Sequence, residues 1–158
     1  MNIDQEKLDR LENAKLYSGS HAKRGANMCA MEFAAFLADE PHSDQPECVS
    51  SVLGAFVRSL NDNWNDEQRQ RLKPYIPRLL GTADPKKEEL RLRMAEDWLI
   101  REHLPAWLEL GGFSEEATRI RSLPPILSTE ALIQAMPSLE SAKKKTDAAR
   151  AAAWDAAW

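Results

Sequence analysis

Val49-Ser50-Ser51-Val52-Leu53-Gly54-Ala55-Phe56-Val57-Arg58-Ser59-Leu60 is the stretch that decides the fold. Val49, Val52, Leu53, Phe56, Val57 and Leu60 fall at i, i+3, i+4, i+7, i+8 and i+11, one face of an α-helix. The spacing predicts a helix opened by Asp44 or Gln45, with Pro46 in its first turn. Upstream, Met28, Cys29, Phe33, Phe36 and Leu37 mark a helix over 28–39, capped by Asn27 and stopped by Pro41. A charged first helix over 2–16 carries Leu8 and Leu11. Downstream, Asn65 and Gln68 form a capping box ahead of a helix reaching about Lys73. Asp84-Pro85 opens the longest helix, about 85–110, which Pro105 should kink. Ser114 and Ser128 each cap a short helix, the two separated by Pro124-Pro125. No segment alternates with period two over a strand's length. The expected fold is therefore all-α: a single multi-helix domain over 1–137, followed by an Ala-rich C-terminal helix over 138–158.

The 158 residues suit one domain with a sizeable core, and 43% hydrophobic with 29% charged residues is an ordinary globular balance. A net charge of −4 excludes a general nucleic-acid binder. No apolar run approaches a membrane span, and Met1-Asn2-Ile3-Asp4-Gln5-Glu6 does not read as a signal peptide. With two cysteines, Cys29 and Cys48, there is no disulfide framework, so a cytoplasmic setting is expected.

Three constellations bear on chemistry. His21, Cys29, His42 and Cys48 are the right types for zinc, but Cys29 and His42 sit at opposite ends of one helix. At 1.5 Å per residue that separates them by roughly 16–20 Å, so no metal site is expected. Cys29 at a helix start, with His21 as base and Glu32 behind it, has the residue types of a nucleophilic site. The window lacks a nucleophile signature, so no catalytic residue and no cofactor are expected. The more suggestive stretch is Ser18-Gly19-Ser20-His21-Ala22-Lys23-Arg24-Gly25-Ala26-Asn27. Glycines, small hydroxyls and two cations ahead of a helix N-terminus are what an anion site needs. Ser18, Gly19, Ser20, His21, Lys23, Arg24 and Asn27 are its candidate ligand-binding residues. Arg58, Arg69, Arg71, Lys73 and Arg78 add positive charge in the middle of the chain.

The tail ends Ala-Trp-Asp-Ala-Ala-Trp, with Trp154 and Trp158 at i and i+4 on one face. They either dock on the core or meet another chain, and they are the candidate interaction residues.

Four blocks carry a resemblance: Ser18-Gly19-Ser20-His21, Met28-Cys29-Ala30-Met31-Glu32, Glu40 to Ser50, and Arg71 to Leu79. Together with the Trp154–Trp158 tail they resemble a group of uncharacterised bacterial and phage proteins. Asp39 stands where that pattern has Gly, and Gln45 where it has His. The resemblance implies a phage- or prophage-linked accessory protein and carries no activity with it. The combined expectation is a non-enzymatic protein that binds a small anionic, nucleotide-like ligand, in the manner of a counter-defence protein sequestering a host immune signal. The alternative is an interaction module acting on a host protein, or a homo-oligomer, through helical faces and the tryptophan pair.

Overall fold

The computed structural model describes residues 3–155, and among them every regular element is helical. In order these are α1 (Gln5–Asn13), α2 (Ala30–Leu37), α3 (Ser51–Asn63), α4 (Asp66–Gln70), a 3-10 turn (Lys73–Tyr75) and α5 (Ile76–Leu79). There follow α6 (Pro85–Trp98), a π turn (Leu99–His103), α7 (Leu104–Leu110), α8 (Ser114–Arg121) and α9 (Thr129–Asp155). No described helix is long and apolar enough to cross a membrane. The chain forms two compact units, Met1–Glu88 and Glu89–Trp158. The expected division at 137/138 falls inside α9, which runs through Pro137.

The first unit is built around α2, in which seven of eight residues are buried. A helix apolar on all sides must lie inside a fold. α1, α3 and α5 pack on it, and Ala30, Ala34 and Ala35 let them approach closely. Leu16, Met28, Phe33 and Ile76 are almost fully buried in this core, each contributing about 1.5–3 kcal/mol. Three expected boundaries move. α1 stops at Asn13 because Leu16 pairs with Met28 in an isolated parallel bridge, in which the Tyr17 N–H donates to the Met28 carbonyl at 3.0 Å. The same pairing holds Met28 extended, so the N-cap of α2 is Cys29 and not Asn27. α3 starts at Ser51, after an irregular 44–49 segment, because Ser50 is its N-cap. Glu88 also accepts from the Ser50 and Ser51 hydroxyls at 2.8 and 3.0 Å. The Asn65/Gln68 capping box forms as expected.

In the second unit Leu108, Ala117, Ile120 and Ala142 form the core, with Leu104, Phe113 and Leu139 packed against it. Pro105 has no N–H to give. The π turn precedes it, and the Leu104 N–H reaches back five residues to the Leu99 carbonyl. The expected single helix thus becomes α6, a π turn and α7. Ser114 is the first residue of α8 rather than its cap, whereas Ser128 caps α9 through the Ala131 N–H at 3.1 Å. Lys145 bonds buried Glu116, pinning α9 to α8 and, through that hydrogen bond first, holding the Glu116 carboxyl below its ordinary range. Trp154 is 68% exposed, and Trp158 lies outside the described residues.

Candidate functional site

The site grows from Glu32, the third residue of α2 and only 1% exposed. Its Oε2 accepts the Cys29 N–H at 2.7 Å, while the Cys29 sulfur accepts the Glu32 N–H at 3.4 Å. This is a capping box with a thiol in the usual hydroxyl position. Glu32 then reaches outside its own helix. Its Oε1 takes the His21 N–H at 2.5 Å, and its Oε2 stands 2.8 Å from His21 Nδ1. His42 Nε2 lies 3.5 Å from Oε1 and 2.9 Å from the His21 carbonyl. Burial alone would push the Glu32 carboxyl up. The Cys29 and His21 N–H groups and the His21 imidazole outweigh it, and the net direction is down.

An ionised Glu32 fixes both rings. His21 Nδ1 must carry the proton facing Oε2, and His42 Nε2 must donate to the His21 carbonyl. That leaves His42 Nδ1 buried without a partner.

The expected 16–20 Å between Cys29 and His42 is therefore wrong, and the reason is the end of α2. Asp39 adopts φ +60°, the Glu40 N–H bonds the Ala35 carbonyl at 3.0 Å, and the Asp39 N–H bonds the Phe36 carbonyl at 3.4 Å. This Schellman closure reverses the chain and returns His42 to the helix start. Three of the four sequence blocks thus converge on Glu32. Among the described residues no group of three or more His, Cys, Asp or Glu is placed to hold a metal ion. Glu32 is filled with N–H donors, and Cys29 and Cys48 are free thiols. Burial pushes the Cys29 thiol up to about 12, so it stays protonated and is a poor nucleophile at neutral pH.

The loop over 18–27 rides on this node. The Gly19 N–H donates to Asp62 at 2.7 Å and the Ala30 N–H to Asn61 at 3.1 Å. The donors expected to face an anion therefore already hold internal acceptors. Ser18, Gly19, Ser20, Lys23, Arg24 and Asn27 are exposed, and His21 is half-buried.

What the sequence did not reveal is the cationic rim beside the loop. The Arg10 and Arg24 guanidiniums lie 4.7 and 5.3 Å from the centre of the Phe36 ring. Arg10 donates to the Gly25 carbonyl at 3.4 Å and Arg24 to the Glu40 carbonyl at 2.6 Å. Lys7 stands 5.6 Å from the same ring and pairs with Asp39. Arg10 lies in a helix that reads only as charged, and nothing in its local pattern places it by the loop. Two of the mid-chain cations serve the scaffold instead. Buried Arg69 bonds the Asn61 and Trp64 carbonyls and Asp66, and Arg58 bonds the Asp44 carbonyl.

No family model, curated protein or solved structure matches the chain, and the meaning of the site rests on its own geometry.

Proposed function

We propose that this is a non-enzymatic helical binding protein that holds a small anionic, phosphate-bearing ligand of nucleotide type. Its site is the rim formed by Arg10, Arg24, Lys23 and the 18–27 loop. The observation that carries the reading is the pair of guanidiniums on Phe36. Each is oriented by the ring and by a backbone carbonyl, and among the described residues neither pairs with a carboxylate. An arginine fork oriented in this way is suited to a phosphate, which takes two parallel N–H bonds. The setting would be cytoplasmic and phage-linked, where sequestration of a nucleotide signal is the natural role. Calorimetry and thermal shift with mono-, di- and cyclic nucleotides and inorganic phosphate test it. A ligand at 100 times its Kd should stabilise the wild type by about 2.7 kcal/mol, and Arg10→Ala/Arg24→Ala should abolish the shift. A panel without any stabilising nucleotide sinks the proposal.

A second reading is an interaction module using the C-terminal tryptophans against a host protein, and the 68% exposure of Trp154 favours it. Removing residues 146–158 separates the two. Ligand binding that survives truncation supports the rim, and a partner lost with it supports the tail.

A further inference from the structure

Gly54 is the fourth residue of α3 and is buried, although glycine in a helix costs stability relative to alanine. Neither backbone conformation nor crowding demands it. Its φ is not positive. The nearest heavy atoms that a Cβ would meet are Arg58 Nη1 at 3.4 Å, the Met31 methyl at 3.5 Å and a Val49 methyl at 3.9 Å, all ordinary van der Waals contacts. What a Cβ would take up is space. Gly54 lines a cavity of about 180 Å³ whose apolar walls are Met31, Pro46 and Val49. Among the described residues Arg58 is the one charged group in that lining. It is half-buried, and its Nη1 donates to the Asp44 carbonyl at 3.0 Å. No described carboxylate pairs with it, and its Nε and Nη2 have no described acceptor. A partly buried guanidinium held by one neutral carbonyl lacks a counter-ion. The donors at the start of α3 are not part of this vacancy. Glu88 already accepts from the Ser50 and Ser51 hydroxyls and from the Val52 N–H, the last at 3.2 Å.

The geometry points to a second binding site here, for a short aliphatic monocarboxylate such as butyrate. Its carboxylate sits on the Nε–Nη2 edge of Arg58, which offers two parallel N–H bonds. Its hydrocarbon chain lies against Gly54, Met31 and Val49. The cavity is smaller than the ~300–1,000 Å³ of pockets for drug-sized ligands, which excludes a nucleotide and leaves room for a few heavy atoms. The apolar walls disfavour a tetrahedral oxyanion, because they would leave its outer oxygens unsatisfied. None of the residues of the Arg10–Arg24 rim lines this cavity, so the two sites stand or fall separately.

NMR of the isotope-labelled full chain tests the inference, with acetate, propionate, butyrate and inorganic phosphate each added to about 20 mM at constant ionic strength. The Gly54 amide and the Arg58 Nε resonances should shift saturably with the carboxylates. Each added methylene should tighten binding by ~3- to 4-fold, and phosphate should leave both resonances in place. Gly54→Ala should melt at or above the wild-type temperature, since alanine is the better helix former, yet bind butyrate at least ~10-fold more weakly because its methyl fills the cavity. Arg58→Gln should lose binding to the same extent, while Arg10→Ala/Arg24→Ala should leave butyrate binding unchanged. Absence of a saturable shift at Gly54 and Arg58 with every carboxylate overturns the inference. So does an equal response to phosphate, or wild-type butyrate affinity in either Gly54→Ala or Arg58→Gln.

Discussion

His21 Nδ1 and Glu32 Oε2 meet at 2.8 Å, and the carboxylate in that pair is 1% exposed. One buried acid thereby closes the first turn of α2, receives the backbone and the ring of His21, and backs His42. Loop position and helix start are coupled through it.

Glu32→Gln should therefore be costly despite its shape. An amide has one acceptor oxygen, so at least one of the N–H groups of Cys29 and His21 would face an NH2. Leaving buried polar groups unsatisfied should cost about 2–4 kcal/mol. Urea denaturation followed by circular dichroism measures it, and a midpoint equal to wild type contradicts the role assigned to Glu32.

The same pair predicts an acid dependence. The folded Glu32 carboxyl sits below its ordinary value, near ~4.3 in an unfolded chain. Its contribution is present above that unfolded value and is lost as pH falls through the lower folded one. Between about pH 5 and pH 3 the wild-type urea midpoint should fall more steeply than that of Glu32→Gln. The other depressed carboxyls are common to both chains, so the difference isolates Glu32. Parallel curves would refute this.

Asp39 carries the left-handed turn that ends α2, at φ +60°, and its carboxylate pairs with Lys7. Glycine meets that conformation without a Cβ penalty. Asp39→Gly should be at least as stable as wild type, and more stable than Asp39→Ala by about 1 kcal/mol. Thermal melts of the three chains decide it, and an alanine variant as stable as the glycine one would show that the turn is unstrained.

The two thiols should differ in reactivity. Cys29 is 2% exposed with its thiol raised to about 12, and half-buried Cys48 is raised by burial and by Glu40 beside it. At pH 8 iodoacetamide should modify Cys48 slowly and Cys29 only on unfolding. Labelling of native Cys29 ahead of Cys48, read by peptide mass spectrometry, would restore a nucleophilic role for it.

The helical class was legible because periodicity is local. Val49 to Leu60 shows its face at 3.6-residue spacing, and the Asn65/Gln68 box forms within four residues. Cys29 to Glu32 has the same four-residue capping spacing, with sulfur in place of oxygen, so that box was available in the sequence too. The meeting of His21 and His42 at Glu32 was not, because it depends on the turn at Asp39 reversing the chain. The Arg10–Arg24 rim also required α1 to pack on α2 before either guanidinium could share Phe36.

The amino-acid sequence by itself determined the all-α fold, the charge balance, and a polar cationic loop before the helix that becomes the centre of the first unit. Tertiary structure alone decided that the loop's N–H groups at Gly19 and His21 are answered by Asp62 and Glu32, and that of Ala30 in α2 by Asn61. It also decided that Arg10 and Arg24 meet on Phe36, and that a π turn before Pro105 lines Trp98, His103 and Trp107 along one side. Periodicity and capping act within a turn or two of chain, so a sequence displays them. Which acceptor meets which donor depends on contacts between residues as far apart as Gly19 and Asp62, and these exist only once the core has closed.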